Sequence, residues 1–267
     1  MPEPTFIVPH DFTFTADTAL NHAVNISKQI NAKVALVHII NKTSEQNEAE
    51  QKLQNIIKNH PEKKIEMTAH VIQGSIFSDI GNLAEELNAS AIIMGTHGAK
   101  GMQKVFGSFA MKVIISTSVP FMVVQDNAEI KTLNNIVYAI DSSLGSLQIV
   151  SLAGNIAKLY NAKVHIIAEK EIDKKYASKV KMNLTALSKK LNNLHVNHHL
   201  ELIDPKSSWL ESIIEYANKV NADMYAIGYD SDKFFASNDK FAQSLLFNNE
   251  KIPTLIINSK SVTKSDY

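Results

Sequence analysis

The sequence predicts an α/β protein built as two tandem, doubly wound parallel-sheet domains. Three observations predict it. The chain has 267 residues, more than one α/β module of ~100–150 residues requires. Strand-length apolar runs alternate with amphipathic segments along the chain. The sequence also repeats itself: residues 25–34 read NISKQINAKV and residues 155–164 read NIAKLYNAKV, seven matches in ten at an offset of 130.

The same offset carries Asp11 onto Asp141, each closing a short apolar run, FIVPHD and IVYAID. Further along, the offset becomes 133. It then aligns Asn88-Ala89 with Asn221-Ala222, Gly95 with Gly228, and Val119-Pro120 with Ile252-Pro253. The boundary is expected in the polar stretch Asp126–Asn134, which gives domains 1–130 and 131–267.

Each element follows from its local pattern. A strand over 6–10 leads to a helix over 16–31, where Ala19, Ala23, Ile26 and Ile30 recur at helical spacing. The strand 34–40, VALVHII, is apolar nearly throughout, as a parallel strand covered on both faces requires. The polar stretch 44–60 reads as an exposed helix stopped by Pro61. Strand 65–72, helix 76–88, strand 91–95, helix 105–117 and strand 120–125 complete the first half. The second half repeats the plan, with strands near 135–140, 163–168, 195–202, 223–228 and 253–258. Strands and helices alternating at these lengths imply right-handed crossovers in parallel sheets.

Composition narrows the function. Hydrophobic residues at 45% and charged residues at 20% are the proportions of an ordinary soluble globular protein. The 27 cationic side chains balance 27 carboxylates, so no global field draws the chain to nucleic acid or to an anionic membrane. A local basic loop is a separate matter. The lack of cysteine removes disulfides, thiolate nucleophiles and Cys-ligated metals, and fits a reducing compartment. The first apolar run is broken by Pro9, His10 and Asp11, unlike the core of a signal peptide. No apolar run approaches the ~20 residues of a membrane span. The expected location is cytoplasmic.

In doubly wound sheets, ligands sit beyond the carboxyl ends of the strands, where the strand order reverses. Asp11 stands at such an end. So does the loop Gly95-Thr96-His97-Gly98-Ala99-Lys100-Gly101, which is followed by Gly107-Ser108 leading a helix. Glycines let the backbone approach an anion closely, and free N–H groups at a helix start attract it. Lys100 and Lys104 add charge and Ser108 a hydroxyl donor, while His97 stands either against a phosphate or in solvent. The alternative is a tight turn whose glycines serve chain reversal alone. Neither GxxxxGK[ST] nor a GxGxxG after the first strand is present.

The segments IVPHDFT, the VHI of the second strand, and GTHGAKG…FGSFAMKVI ending in SVPFMVV resemble the universal stress protein family. The resemblance covers nearly the whole chain. It implies Rossmann-like domains of the adenine nucleotide alpha-hydrolase-like type, packed as an intramolecular pseudo-dimer, either monomeric or as a homodimer of tandem chains. It further implies a stress-response regulatory or sensor protein with an adenine nucleotide, ATP or AMP with or without Mg²⁺, in its N-terminal domain. By that resemblance Asp11 and the backbone of Ile39 approach the adenine and ribose, Pro9 lines the entry, and Gly95 lies near the ribose. Thr96, His97 and Lys100 join the binding set, and Gly98, Gly107, Ser108 and the backbone of Phe109 hold the phosphates. Nucleotide-binding members place nine residues between the second glycine and the Gly-Ser or Gly-Thr pair. Here eight separate Gly98 from Gly107, so the loop is one residue tighter. Two other readings stand beside this one: a slow ATPase on the same fold, and an interaction protein without ligand whose loop has closed on itself.

The repeat supplies its own control. Gly95 to Pro120 and Gly228 to Pro253 span equal lengths, yet Ser231 stands where the first half has Gly98, Phe234 where it has Gly101, Lys240 where it has Gly107 and Phe241 where it has Ser108. The second domain is therefore expected not to bind a nucleotide in the same manner. Phe234, Phe235 and Phe241 either fill the site themselves or shape a pocket for an apolar ligand.

Other candidates carry less. On a strand over 195–202, His195 and His199 share one face and His198 the other, which does not converge three imidazoles on a zinc ion. Asp11 has no identifiable partner for acid–base work, and no GxSxG elbow is present. No catalytic residue and no metal ligand is assigned. Trp209 reads as packing the start of a helix. The lysine clusters near 174–181 and 189–190 read as solvated helix faces, and neither nucleic acid nor a membrane is expected as a partner.

Overall fold

The computed structural model describes residues 3–96, 105–129, 132–142, 145–204, 208–229 and 236–259, with backbone alone at 105–109, 145 and 236–239. The chain divides into two compact units, Met1–Ile130 and Lys131–Tyr267.

The first unit contains strands β1 (Thr5–Pro9), β2 (Lys33–Ile40), β3 (Met67–Gln73), β4 (Ala91–Thr96) and β5 (Phe121–Gln125). They lie in the order β3-β2-β1-β4-β5, all parallel. The connecting helices are α1 (Phe14–Ile30), α2 (Gln46–Asn59), α3 (Asp79–Glu86) and α4 (Val105–Ile114). The second unit repeats this with β6 (Asn135–Ile140), β7 (Lys163–Glu169), β8 (His198–Ile203), β9 (Met224–Tyr229) and β10 (Thr254–Asn258), in the order β8-β7-β6-β9-β10. Its helices are α5 (Gly145–Gln148), α6 (Val150–Tyr160), α7 (Lys174–Asn193), α8 (Trp209–Val220) and α9 (Ala236–Leu246).

The two offsets read from the sequence reappear in the strand register. Phe6 pairs with Val34 as Ile136 pairs with Val164, both shifted by 130. Ile92 pairs with Phe121 as Tyr225 pairs with Thr254, both shifted by 133. Two tandem Rossmann-like α/β units follow from one repeated plan.

The repeated Asn-Ala pairs have a physical role: they end helices. Asn31, Asn88, Asn161 and Asn221 all adopt positive φ, between 48° and 54°, a conformation that asparagine tolerates better than most residues. The next residue then bonds back across the last turn: Ala32 N–H to Ser27 O at 3.2 Å, Ala89 to Ala84 at 2.8 Å, Ala162 to Ala157 at 2.7 Å, and Ala222 to Ala217 at 2.9 Å. This Schellman closure satisfies a helix-end carbonyl and aims the chain into the following strand. Central strands β1, β2, β4 and β5 supply the core of the first unit, with Ile7, Val8, Leu36, Ile92 and Phe121 all fully buried.

Several expected boundaries move. The helix expected over 76–88 begins at Asp79, because Ser75 N–H donates to Asp79 Oδ2 (2.7 Å) and Phe77 N–H to Ser75 Oγ (3.2 Å), a side-chain turn that competes with helix. The helix expected to reach 117 stops at Ile114, where Ser116 Oγ donates to Val113 O and Val119 N–H donates to Thr117 Oγ1. The strand expected from 195 starts at His198, since His195 takes φ 58° in the turn closing α7. Ile30, placed on the buried face of α1, is 37% exposed in its last turn. Among the described residues, no helix is long and apolar enough to cross a membrane.

A candidate ligand cleft in the first unit

Chain order reverses between β1 and β4: β2 lies on one side of β1 and β4 on the other. A cleft enclosing about 160 Å³ opens there, above the carboxyl ends of these strands. Val37, Ile39, Ile76, Ile80 and Met94 give it apolar walls, and Ala110 brings the first turns of α4 to its edge.

The wall beside β1 is fixed by His10, which is 3% exposed. Phe12 N–H donates to His10 Nδ1 at 3.1 Å, so the ring proton sits on Nε2, which donates to Asp17 Oδ1 at 3.2 Å. Burial lowers the His10 pKa, against the raising influence of Asp17, and keeps the imidazole neutral at neutral pH. Phe12 takes φ 65° and lays its ring 4.3 Å from that of His38. Asp11, at the rim, spends Oδ1 on Thr13: it accepts from Thr13 N–H at 3.1 Å and Thr13 Oγ1 at 2.5 Å. Thr13 in turn is the N-cap of α1.

At Ile39 the strand ladder leaves a gap. The β1–β2 pairing stops at Pro9 and Val37, where His10 N–H donates to Val37 O at 2.8 Å. A longer ladder would offer the His10 carbonyl to Ile39 N–H, but that carbonyl accepts from His38 Nδ1 at 2.7 Å instead. Backbone groups alternate sides along a strand, and Val37 and Ile39 face β1 while Ile40 faces β3, its carbonyl accepting from Gly74 N–H. Ile39 thus presents one N–H and one C=O to the cleft, with no strand partner among the described residues.

Gly95 has a packing reason to be glycine. A Cβ there would stand 2.8 Å from the carbonyl carbon of Thr15 and collide with its oxygen. The start of α1 therefore rests on the end of β4. Thr15 Oγ1 also donates to Asp126 Oδ1 just past β5, and Asp126 N–H donates to Thr96 O at 3.2 Å.

Of the residues expected at the site, Pro9, Asp11, Ile39, Gly95 and Thr96 all line this cleft. His97, Gly98 and Lys100 lie outside the described residues. Gly107, Ser108 and Phe109 are described by backbone only, within the first described turn of α4. The sequence reading missed His10, Thr15, His38 and Asp126. His10 and His38 stand in the segments IVPHDFT and VHI, but no role could be read for them there, and the partners of these four residues lie up to 111 positions away.

In the second unit the same place is built otherwise. The β6–β7 ladder runs one pair further, to Ile140 and Ala168. Asp141 N–H donates to Ser146 Oγ (3.0 Å), and that hydroxyl donates to Asp141 Oδ1 (2.7 Å), tying the aspartate to α5. The histidines of 195–199 point to separate partners: His198 pairs with Ser188 Oγ at 2.8 Å, His199 with Glu201 at 3.1 Å.

Comparison with known proteins follows the same division. Residues 4–125 match the sequence profile of the Universal stress protein family. A universal stress protein of Methanocaldococcus jannaschii is 26% identical over 136 residues, covering 45% of this chain and 80% of that protein. Universal stress protein G of Shigella flexneri is 31% identical over 80 residues, covering 30% of this chain and 56% of that protein. A crystal structure of a universal stress protein from Archaeoglobus fulgidus superposes with a TM-score of 0.75 at 16% identity, covering 97% of this chain and 99% of that one, which shows a shared fold across both units. The N-terminal unit of this chain belongs to the universal stress protein family, and the C-terminal unit repeats its fold.

Proposed function

We propose that the first unit binds an adenine nucleotide, ATP or AMP, and that the chain is a nucleotide-responsive regulatory protein of the stress response. The observation that carries this is the open amide of Ile39 on an apolar slot. Adenine presents an amino donor beside a ring-nitrogen acceptor, the complement of one residue's C=O and N–H. Guanine would set its O6 acceptor against the Ile39 carbonyl and lose the match. Asp11 at the rim suits a ribose hydroxyl. The phosphates would run towards residues 97–104 and the N-terminal side of α4, whose dipole favours an anion. Mg²⁺, where present, would ride on those phosphates.

The longer β6–β7 ladder and the Asp141–Ser146 closure support a second unit without an equivalent site. The stoichiometry expected is one nucleotide per chain. Equilibrium dialysis with ATP, AMP and GTP, with and without Mg²⁺, tests the reading. Adenine nucleotides should bind at least about tenfold tighter than GTP. Equal affinity for ATP and GTP, or no binding of any, contradicts it.

A further inference from the structure

Helix α7 connects β7 to β8 as α2 connects β2 to β3, but the two helices differ in charge. Helix α2 carries Glu48, Glu50, Lys52 and Lys58 and is neutral overall. Helix α7 carries Lys174, Lys175, Lys179, Lys181, Lys189 and Lys190 and no carboxylate, and all six lysines are exposed. Its inner side is ordinary core, with Val180, Leu184, Leu187 and Leu191 buried. The centre of its outer side is Met182, which is 69% exposed. At helical spacing Met182 is surrounded by Lys175, Ser178, Lys179, Thr185, Ala186 and Lys189. Tyr176 flanks the face, 47% exposed, with Lys179 Nζ 5.9 Å from its ring centroid. The acidic residues Glu171 and Asp173 stand just before the helix, and the Asp173 carboxylate turns onto the N–H groups of Lys175 and Tyr176.

We propose that this outer face of α7 docks reversibly on an anionic lipid surface. The chain as a whole has no net charge, so the attraction is local to one helix about 30 Å long. Two features favour lipid headgroups over nucleic acid. The sequence contains no arginine, so the planar forks that grip phosphate esters and base edges are missing, while ammonium groups act as point charges towards a diffuse anionic surface. An exposed methionine at the centre of a lysine field gains nothing from a sugar–phosphate backbone, but gains by entering the boundary between headgroups and acyl chains. The inference is independent of the nucleotide site, and it concerns a surface contact, not a membrane span.

The test is co-sedimentation of the full chain with vesicles of phosphatidylcholine alone or of an equal mixture of phosphatidylcholine and phosphatidylserine. The chain should partition onto the mixed vesicles only, and high salt should release it. The triple change Lys175→Glu, Lys179→Glu and Lys189→Glu should weaken partitioning at least about tenfold. The exposed single change Met182→Asn, which leaves fold and charge alone, should weaken it severalfold. Lys58→Glu, Lys63→Glu and Lys64→Glu together, the same change in net charge on the first unit, should leave it unaltered. Absent partitioning, equal losses from the two triple variants, or an unchanged Met182→Asn overturns the proposal. So does tighter binding to duplex DNA than to mixed vesicles, which would assign the face to nucleic acid.

Discussion

Gly95 and Thr15 meet backbone to backbone: the Thr15 carbonyl occupies the space that a side chain on Gly95 would need. The contact seats the start of α1 on the end of β4 and so sets the floor of the cleft. Gly95→Ala is expected to cost about 1–3 kcal/mol, because the obstacle is main chain and cannot rotate away. Urea unfolding measures this. A stability change within the error of the titration would mean that α1 shifts freely, and that Gly95 serves only a ligand.

On the proposed reading, Asp11 joins stability to binding. Its Oδ1 holds Thr13 N–H and Oγ1, and Thr13 caps α1. Asp11→Ala should lower stability by about 0.5–1 kcal/mol and reduce affinity for AMP by about tenfold. Asp11→Asn keeps an oxygen for Thr13 and should restore most of the stability while leaving affinity reduced. Paired melting curves and AMP titrations of the two variants check both arms.

Several buried histidines make the fold acid-sensitive. Burial lowers the pKa values of His10 and His22 in the first unit. In the second unit, burial and then the neighbouring charges of Lys163 and His199 bring His165 down from 6.5 to about 4. His165 is held between Asn135 Oδ1 and the Tyr216 hydroxyl, each at 3.1 Å. In every case the unfolded chain binds the proton more tightly than the folded one. Stability is therefore fully present above pH 6.5 and is lost as pH falls from there towards about 4. Urea midpoints measured across this range should fall with pH, and His165→Gln should flatten part of the slope. A midpoint independent of pH over the window contradicts the assignment.

The elements that the sequence announced are those with a local cause. Asn31-Ala32 and Asn161-Ala162 stop their helices by a left-handed residue and one back-bond, and both are visible in the repeated NAKV. The boundaries that moved were decided by side-chain turns such as Ser75 with Asp79, which apolar periodicity does not register. That Pro9, Asp11, Ile39, Gly95 and Thr96 gather at one cleft was legible in part: Asp11, Gly95 and Thr96 because strand ends and glycines mark the switch point, Pro9 and Ile39 through the family resemblance. The reason for Ile39 was not legible. It depends on where the β1–β2 ladder stops and on His38 taking the His10 carbonyl, a contact across 28 positions. Likewise Gly95 read as a ligand-side or turn glycine, whereas the contact that requires it is with Thr15 on another element.

Calorimetric titration of ATP into the wild-type chain and into Ser108→Phe tests the central claim most directly, since the variant places in the first unit the residue that the repeat holds at Phe241. The account predicts one site per chain in the wild type and a loss of at least about a hundredfold in the variant, whose side chain blocks the amides of the first turn of α4. Two equivalent sites in the wild type, or unchanged affinity in Ser108→Phe, would contradict it.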